Sequence, residues 1–184
     1  MGVMLTEMSL DTLTELVNGW GTPPRQEDGR GDTPHRPVAD IAARLRLPAC
    51  VSAALTPQAL AQAADHLHGV FRAESGAACA QSLTQLLTSS GVRPALETGA
   101  DGAPRAVWSV DDADHALVAA AATTLRRFLA DRGFTRIGVC TGGHCADVYI
   151  DQSPAGRRRF CSVTCQNRTR VAAFRSRRAA GADS

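Results

Sequence analysis

Apolar positions recur at a spacing of three and four along much of the first 135 residues, which is typical of amphipathic helices. The first such segment runs from Thr6 to Trp20 and is ended by the glycines and prolines that follow it. Segment 25–37 is rich in Gly, Pro and charge, and is predicted to be a mobile loop. Caps, prolines and glycines bound four further predicted helices, over residues 38–47, 56–73, 77–88 and 111–132.

One stretch of this region has a different pattern. Two short extended runs, 94–97 and 105–108, flank a turn rich in Gly and Asp, which predicts a β-hairpin. Residues 1–135 are therefore expected to form an α+β domain, mostly helical with one β-hairpin, that serves sensing or dimerisation. His66 and His68 lie two apart on a predicted helix, point to different faces and are expected at the surface.

Four cysteines cluster near the C-terminal end in two close pairs. Cys140 and Cys145 are followed, after fifteen residues, by Cys161 and Cys165. Two close pairs joined by a loop supply the four soft ligands that tetrahedral zinc prefers, and adjacent glycines at 142 and 143 permit a tight turn in the first pair. One structural Zn²⁺ is therefore predicted.

Other interpretations of this cluster stay open at this point. Iron also accepts four thiolates, and His144 could replace one cysteine. Buried packing thiols and redox-active thiols are less favoured, because the cysteines are clustered and no C-x-x-C spacing occurs.

The residues around the cysteines predict a small fold of their own. Extended runs 147–150 and 158–160 flank a turn and predict a hairpin, and a helix over 164–178 would carry the last cysteine pair. A knuckle, a hairpin and a helix make a treble-clef-like zinc finger over residues 136–178. Residues 179–184 are predicted to be a disordered tail.

The charge is distributed unevenly. The 184-residue chain has a net charge of +2, and all 20 of its basic residues are arginines, as a GC-rich genome would favour. Residues 1–135 hold 11 arginines against 15 acidic residues, which gives −4, whereas residues 136–184 hold 9 against 3, which gives +6. A zinc tetrathiolate would lower the second value to about +4. This asymmetry indicates a polyanionic partner, and DNA is the one expected.

The predicted helix places its arginines on two flanks. Arg168 and Arg175 follow one flank, and Arg170 and Arg177 follow the other. Val171 and Phe174 lie between the flanks and are expected to form a narrow buried seam. The residues predicted to contact nucleic acid are Arg157, Arg158, Arg159, Asn167, Arg168, Arg170, Arg175, Arg177 and Arg178.

Several classes of function are not supported by the sequence. No window holds eighteen apolar residues and the start lacks the features of a secretory signal, so a cytoplasmic protein without a membrane partner is expected. No phosphate-binding glycine loop, nucleophile motif or paired-acid motif occurs, and four thiolates would leave no open zinc position, so no enzymatic activity is expected.

The finger resembles a known family. Cys165-Gln166-Asn167-Arg168 resembles the Cys-Gly-Asn-Arg signature of the CGNR zinc fingers, with Gln166 where the family has glycine. Residues 151–153, 157–160 and 171–175 are also similar to the layout of that finger. Leu16-Val17-Asn18 in the first helix resembles the ABATE domain that usually accompanies it. The resemblance implies structural zinc, DNA binding and stress-induced transcription regulation in bacteria.

The sequence thus favours a bacterial, cytoplasmic DNA-binding transcription regulator. A small-molecule effector bound to the N-terminal domain and a homodimer are further expectations. The alternative is a zinc-braced protein that binds another protein or a ligand without touching nucleic acid, and whose arginines pair with acidic residues of the N-terminal region.

Overall fold

A computed structural model describes residues 2–182, with side chains for all of them except residues 50, 54 and 179–182. The helices are α1 (Leu10–Trp20), α2 (Thr22–Glu27), α3 (Ala39–Leu45), α4 (Ala49–Ala54), α5 (Pro57–Phe71), α6 (Gly76–Ser89), α7 (Ala116–Arg132) and α8 (Val163–Ala182). The strands are β1 (Val3–Leu5), β2 (Arg93–Thr98), β3 (Pro104–Val110), β4 (Ile137–Val139) and β5 (Val148–Ile150). The predicted mixture of helix and sheet is confirmed. Within the described range, no helix has both the length and the apolar character needed to cross a membrane.

Helices α1, α5 and α7 form the centre of the fold. Helix α1 starts after Ser9, whose hydroxyl accepts a hydrogen bond from the Thr12 backbone N–H (3.1 Å), and it packs against α5. Residues 119–122 of α7 are all alanine and all fully buried. A helix buried on every side at this level lies in the middle of the core, and small side chains let its neighbours approach closely.

The first sheet has the strand order β1-β3-β2, with both pairs antiparallel. The predicted hairpin is confirmed as β2 and β3. The sequence pattern does not predict strand β1. The strand has only three paired residues, and its partner lies far along the chain, with Val3 opposite Val110.

Several helix bounds differ from the predicted ones. Helix α1 begins at Leu10 rather than Thr6, and α7 begins at Ala116 because a 3-10 turn over 113–115 precedes it. Helix α4 is a further element that the sequence pattern does not predict. Helix α2 extends into the start of the segment predicted to be a loop. Its two prolines lie in the first helical turn, where a backbone N–H has no partner within the helix, so their missing N–H groups do not destabilise it.

The second sheet pairs β4 with β5, so the predicted hairpin between 147–150 and 158–160 is wrong. Ile137 lies opposite Ile150, and the Asp151 N–H donates to the Arg136 carbonyl (2.7 Å). The Arg158 N–H is directed to the Asp151 carboxylate (2.8 Å) and not to a strand carbonyl. Chain 158–160 therefore runs past the sheet without joining its ladder.

The hydrophobic core is continuous across the boundary expected at residue 135. Ile137, Val148 and Ile150 belong to the same buried cluster as Leu13 and Leu60. The short second sheet is thus stabilised from one side by the N-terminal helices.

The last helix is longer than expected. Helix α8 begins at Val163 and continues through Ala182, so it includes residues 179–182 of the predicted tail. The remaining two residues of that predicted tail, Asp183 and Ser184, lie outside the described residues.

Candidate metal centre and nucleic-acid interface

The four clustered cysteines meet at one point. The sulfur atoms of Cys140, Cys145, Cys161 and Cys165 all lie within 4.8 Å of one another. Three separations are 3.4 Å for Cys161–Cys165, 3.7 Å for Cys145–Cys161 and 3.8 Å for Cys145–Cys165. A tetrahedron with zinc–sulfur bonds of about 2.3 Å has edges of about 3.8 Å. The cluster therefore fits one structural Zn²⁺ held by four cysteines.

The first cysteine pair lies in a knuckle after β4. The Gly142 N–H donates to the Cys140 sulfur (3.4 Å), which brings the chain back toward the metal position. The left-handed conformation expected for a glycine belongs instead to His144, with φ of 54°. The His144 side chain is exposed and stands outside the cysteine cluster, so His144 is a turn residue and not a ligand.

The second pair joins the knuckle to α8. Cys165 lies in the first turn of α8, and its N–H donates to the Ser162 hydroxyl (3.2 Å). Residues four apart at a helix start bring their side chains to one face, so both sulfurs point toward the knuckle.

The fold alone does not favour four thiolates at this site. Burial raises the pKa of Cys145 to about 12, and burial together with the hydrogen bond to Cys165 raises the pKa of Cys161. Burial acts in the same direction on Cys165, but hydrogen bonds with Cys161 and Ser162 outweigh it and lower the pKa. A dication supplies the missing charge, and its binding releases the protons.

Two of the predicted nucleic-acid contacts hold this module together, and we name Arg158 and Arg168 the inner arginines. Arg168 Nη2 donates to the Gly143 carbonyl (3.2 Å) and to the Cys165 sulfur (3.4 Å). The Arg158 guanidinium donates to the carbonyls of residues 150, 160 and 161. Both side chains link the metal ligands to the segments around them, which makes them positioning residues of the zinc module.

Asp151 organises the turn between β5 and the second cysteine pair. Its buried carboxylate accepts from the Ser153 N–H (2.9 Å), the Ser153 hydroxyl (2.6 Å) and the Arg158 N–H (2.8 Å). Burial works to raise the pKa of Asp151, but these hydrogen bonds outweigh it and hold the pKa below its ordinary range. In the same turn, Gly156 has φ of 61°, and a side chain there would meet Arg136 at 2.7 Å.

Two residues of the N-terminal helices hold the module in place, and sequence reasoning did not assign them this role. The Asn18 amide pairs with both backbone groups of Val148 on β5, at 3.0 and 2.7 Å. His68 is 3% exposed and its Nε2 donates to the Ala146 carbonyl (2.8 Å), so its predicted surface position is wrong. The only indication in the sequence is a polar side chain beside the apolar stripe of each helix.

The other predicted contacts lie on the surface of the basic segment. Arg157, Arg159 and Asn167 are exposed near the metal module, and Arg170, Arg175, Arg177 and Arg178, which we name the outer arginines, are exposed along α8. Among the described residues, no ion pair joins any arginine of 136–178 to an acidic group. The arginines therefore do not neutralise the acidic N-terminal region.

The apolar seam expected to be buried in α8 is exposed, so that prediction is wrong. Val171 is 48% exposed and Phe174 is 54% exposed, and the Arg178 guanidinium lies 5.8 Å from the Phe174 ring centroid. Every described side chain after Thr169 is exposed, because no described element packs on that part of α8. The helix thus presents a narrow apolar stripe between two flanks of arginine.

No curated protein matches the chain. A protein-family comparison does identify its C-terminal part, which contains the four cysteines, the inner arginines and most of α8. Residues 136–178, less than a quarter of the chain, match the family model described as the CGNR zinc finger.

Proposed function

We propose that this protein is a DNA-binding transcription regulator whose zinc module presents α8 to duplex DNA. The observation that carries the proposal is the set of outer arginines, which are exposed and lack acidic partners among the described residues. Guanidinium groups form bidentate hydrogen bonds with phosphates and with guanine edges.

The shape of α8 suits this role. Its 20 residues span about 30 Å at 1.5 Å per residue, and most of that length stands clear of the body. A major groove about 12 Å wide admits one helix. Arg170 and Arg177 on one flank and Arg175 on the other would reach phosphates of the two opposing strands.

The exposed stripe between the flanks gives the helix a further means of contact. Val171 and Phe174 would face the floor of the groove, where thymine methyl groups offer apolar surface. Arg157 and Arg159, outside the helix, would add phosphate contacts beside the metal module.

The rest of the account extends from the matched finger. The knuckle, β4–β5 and α8 support a treble-clef-like arrangement, with an ABATE-like domain over residues 1–135 acting in sensing or dimerisation. We place the protein in the bacterial cytoplasm. We propose no catalytic role for the zinc site, because four thiolates complete the tetrahedral shell of zinc and leave no position for a reacting water.

The experiment is a titration of zinc-loaded protein with duplex DNA across a series of salt concentrations. Each phosphate contact releases counterions, so the logarithm of affinity is expected to fall linearly with the logarithm of salt, with a slope of about −0.9 per contact. Four to six arginine contacts would give a slope of about −4 to −5. A slope near zero would contradict the proposal.

The exposed stripe also favours a second candidate, a protein-interaction module. A partner helix could lay an apolar face on Val171 and Phe174 and place acidic residues beside the arginines. The double variant Val171→Ser/Phe174→Ser separates the two candidates. A DNA-binding helix keeps most of its salt slope in this variant, because phosphate contacts persist. If the protein is instead a protein-interaction module, the unchanged protein and the double variant both bind DNA weakly.

A further inference from the structure

Arg25 is a buried cation outside the zinc module. It lies in α2, is 5% exposed and takes part in none of the ion pairs formed by the described residues. Its side-chain hydrogen bonds are all donated by Nη2, to the carbonyls of Arg30 and Thr33 and to the Thr33 hydroxyl. Nε and Nη1 have no hydrogen-bond partner in the described part of the chain. Neither nitrogen is among the fully buried polar atoms without a partner, so both reach solvent, where an anion can contact a charge that has no counter-ion in the described fold.

A cavity of about 430 Å³ opens beside this guanidinium. It is lined by Trp20, Arg25, Gln26, Gly31, Asp32 and His35, among others. This volume lies within the range of small-molecule sites, about 300–1,000 Å³. Gln26 also borders the cleft against the metal knuckle, so α2 separates the cavity from the zinc module.

Two aromatic rings form a flat wall of the cavity. Trp20 and His35 stack with ring centroids 4.9 Å apart and planes only 6° from parallel. Burial and the neighbouring Arg25 charge lower the pKa of His35, which keeps its ring neutral at pH 7. Arg25 is thus the cation that lines the cavity, beside an uncharged planar surface.

One acidic residue limits the ligands that this site would accept. Asp32 lines the cavity and is exposed, so its carboxylate would repel added negative charge at the solvent-facing side. One guanidinium opposed by one carboxylate suits a monoanion better than a dianion such as phosphate. Nε and Nη1 point in different directions, so a carboxylate oxygen would accept from one of them and not from both.

We propose that the cavity between α2 and residues 28–35 binds a small organic carboxylate, which accepts a single hydrogen bond from the Arg25 guanidinium and whose apolar part lies against the Trp20–His35 stack. This gives the N-terminal region a defined ligand site. It does not depend on DNA binding, so the two proposals fail separately.

Tryptophan fluorescence tests the site directly. The chain has two tryptophans, and the Trp108→Phe variant leaves Trp20 as the reporter. Zinc-loaded protein with this change is titrated with acetate, benzoate and inorganic phosphate at constant ionic strength. Benzoate is expected to change Trp20 emission saturably and to bind about tenfold tighter than phosphate, because the Asp32 carboxylate repels the second negative charge of phosphate.

Variants in the same background locate the ligand. Arg25→Gln is expected to weaken benzoate binding about tenfold or more. Because Arg25 also holds the loop, Gly31→Leu serves as a second variant. It keeps the guanidinium and adds bulk on the cavity side, where a Cβ at position 31 lies 3.6 Å from Gln26 Cγ. The matched control is Arg30→Gln, which changes a half-buried arginine of the same loop whose side chain pairs with Asp28.

The proposal requires saturable benzoate binding that survives in Arg30→Gln and is abolished in Gly31→Leu. It would be overturned by an unsaturated response to both carboxylates, by equal binding in Gly31→Leu, or by phosphate binding as tightly as benzoate.

Discussion

Arg168 and Arg175 lie on the same flank of α8, two turns apart, but they have different surroundings. Arg168 donates to the Gly143 carbonyl and the Cys165 sulfur, whereas Arg175 is exposed beyond the last residue of α8 that contacts the body. An inner arginine donates its hydrogen bonds to its own zinc module, whereas the side chain of an outer arginine donates to no other described residue. Equal charge and equal periodicity in the sequence therefore conceal two different surroundings.

The largest effect is expected from a variant that disrupts the zinc site, because the inner arginines bind to the module that zinc holds together. Cys165→Ser takes one ligand from the zinc site, and structural zinc contributes about 10–16 kcal/mol of binding free energy to comparable small modules. We expect loss of stoichiometric zinc and loss of the ordered 136–165 region, measured by elemental analysis and by the NMR signals of that region.

Cys79→Ala is the matched control for that variant. It also removes one thiol, but Cys79 is buried in the core away from the cluster, so zinc content should stay at one per chain. Full zinc binding by Cys165→Ser would contradict the four-cysteine site.

The next effect concerns the joint between the N-terminal helices and the zinc module. Asn18→Ala leaves both backbone groups of buried Val148 without their partner. Each unsatisfied buried group costs about 1–3 kcal/mol, so we expect a loss of about 3 kcal/mol in the free energy of unfolding. Urea unfolding of zinc-loaded protein measures it, with Asn167→Ala, an exposed asparagine, as the control that should change little. An equal loss in the free energy of unfolding for Asn18→Ala and Asn167→Ala would show that the Asn18 contact with Val148 does not stabilise the protein.

A smaller effect separates the inner from the outer arginines. Arg168→Ala should lower the free energy of unfolding by about 1–2 kcal/mol, since hydrogen bonds to charged groups contribute about that much after allowance for exposure. Arg175→Ala should stay within about 0.5 kcal/mol of the unchanged protein. If urea unfolding gives the same change for both variants, the distinction between inner and outer arginines is wrong.

The smallest expected effect is a gain in the free energy of unfolding. His144 holds a left-handed conformation that costs a non-glycine residue about 1–2 kcal/mol. His144→Gly relieves that cost but adds backbone freedom to the unfolded chain, so we expect a net stabilisation of about 0.5 kcal/mol with unchanged zinc content. A loss of zinc in this variant would show that His144 takes part in coordination.

The metal centre is predictable from the sequence because its information is local. The spacing within the two cysteine pairs is visible in the sequence itself, and Thr56, the cap of α5, likewise lies directly before the helix that it starts. Strand pairing is different, since the local pattern predicts β3 and β5 but not β1 and β4, the strands that pair with them. Beside β5, the Asp151 carboxylate accepts the Arg158 N–H, a contact that the sequence pattern does not predict.

In helix α8, the sequence predicts the position of the side chains around the helix but not which of them are covered. Its periodicity correctly places Val171 and Phe174 on one stripe, but periodicity carries no information about what covers a stripe. Hydrophobic residues are commonly assigned to the interior, and here no described element reaches them. For the same reason, the sequence pattern predicts one role for Arg158, Arg168 and the outer arginines, although the carbonyl and sulfur partners of the inner pair lie across the fold.

The most direct test of the central claim compares two triple variants of equal charge. One is Arg170→Ala/Arg175→Ala/Arg177→Ala, and the other is Arg44→Ala/Arg105→Ala/Arg127→Ala, which removes three exposed arginines of the N-terminal region. The measurement is the slope of the logarithm of duplex-DNA affinity against the logarithm of salt. We predict that the slope becomes shallower by about 2.7 in the first variant, about 0.9 for each arginine–phosphate pair removed, and changes little in the second. Equal slopes in the two variants would contradict the assignment of α8 to DNA.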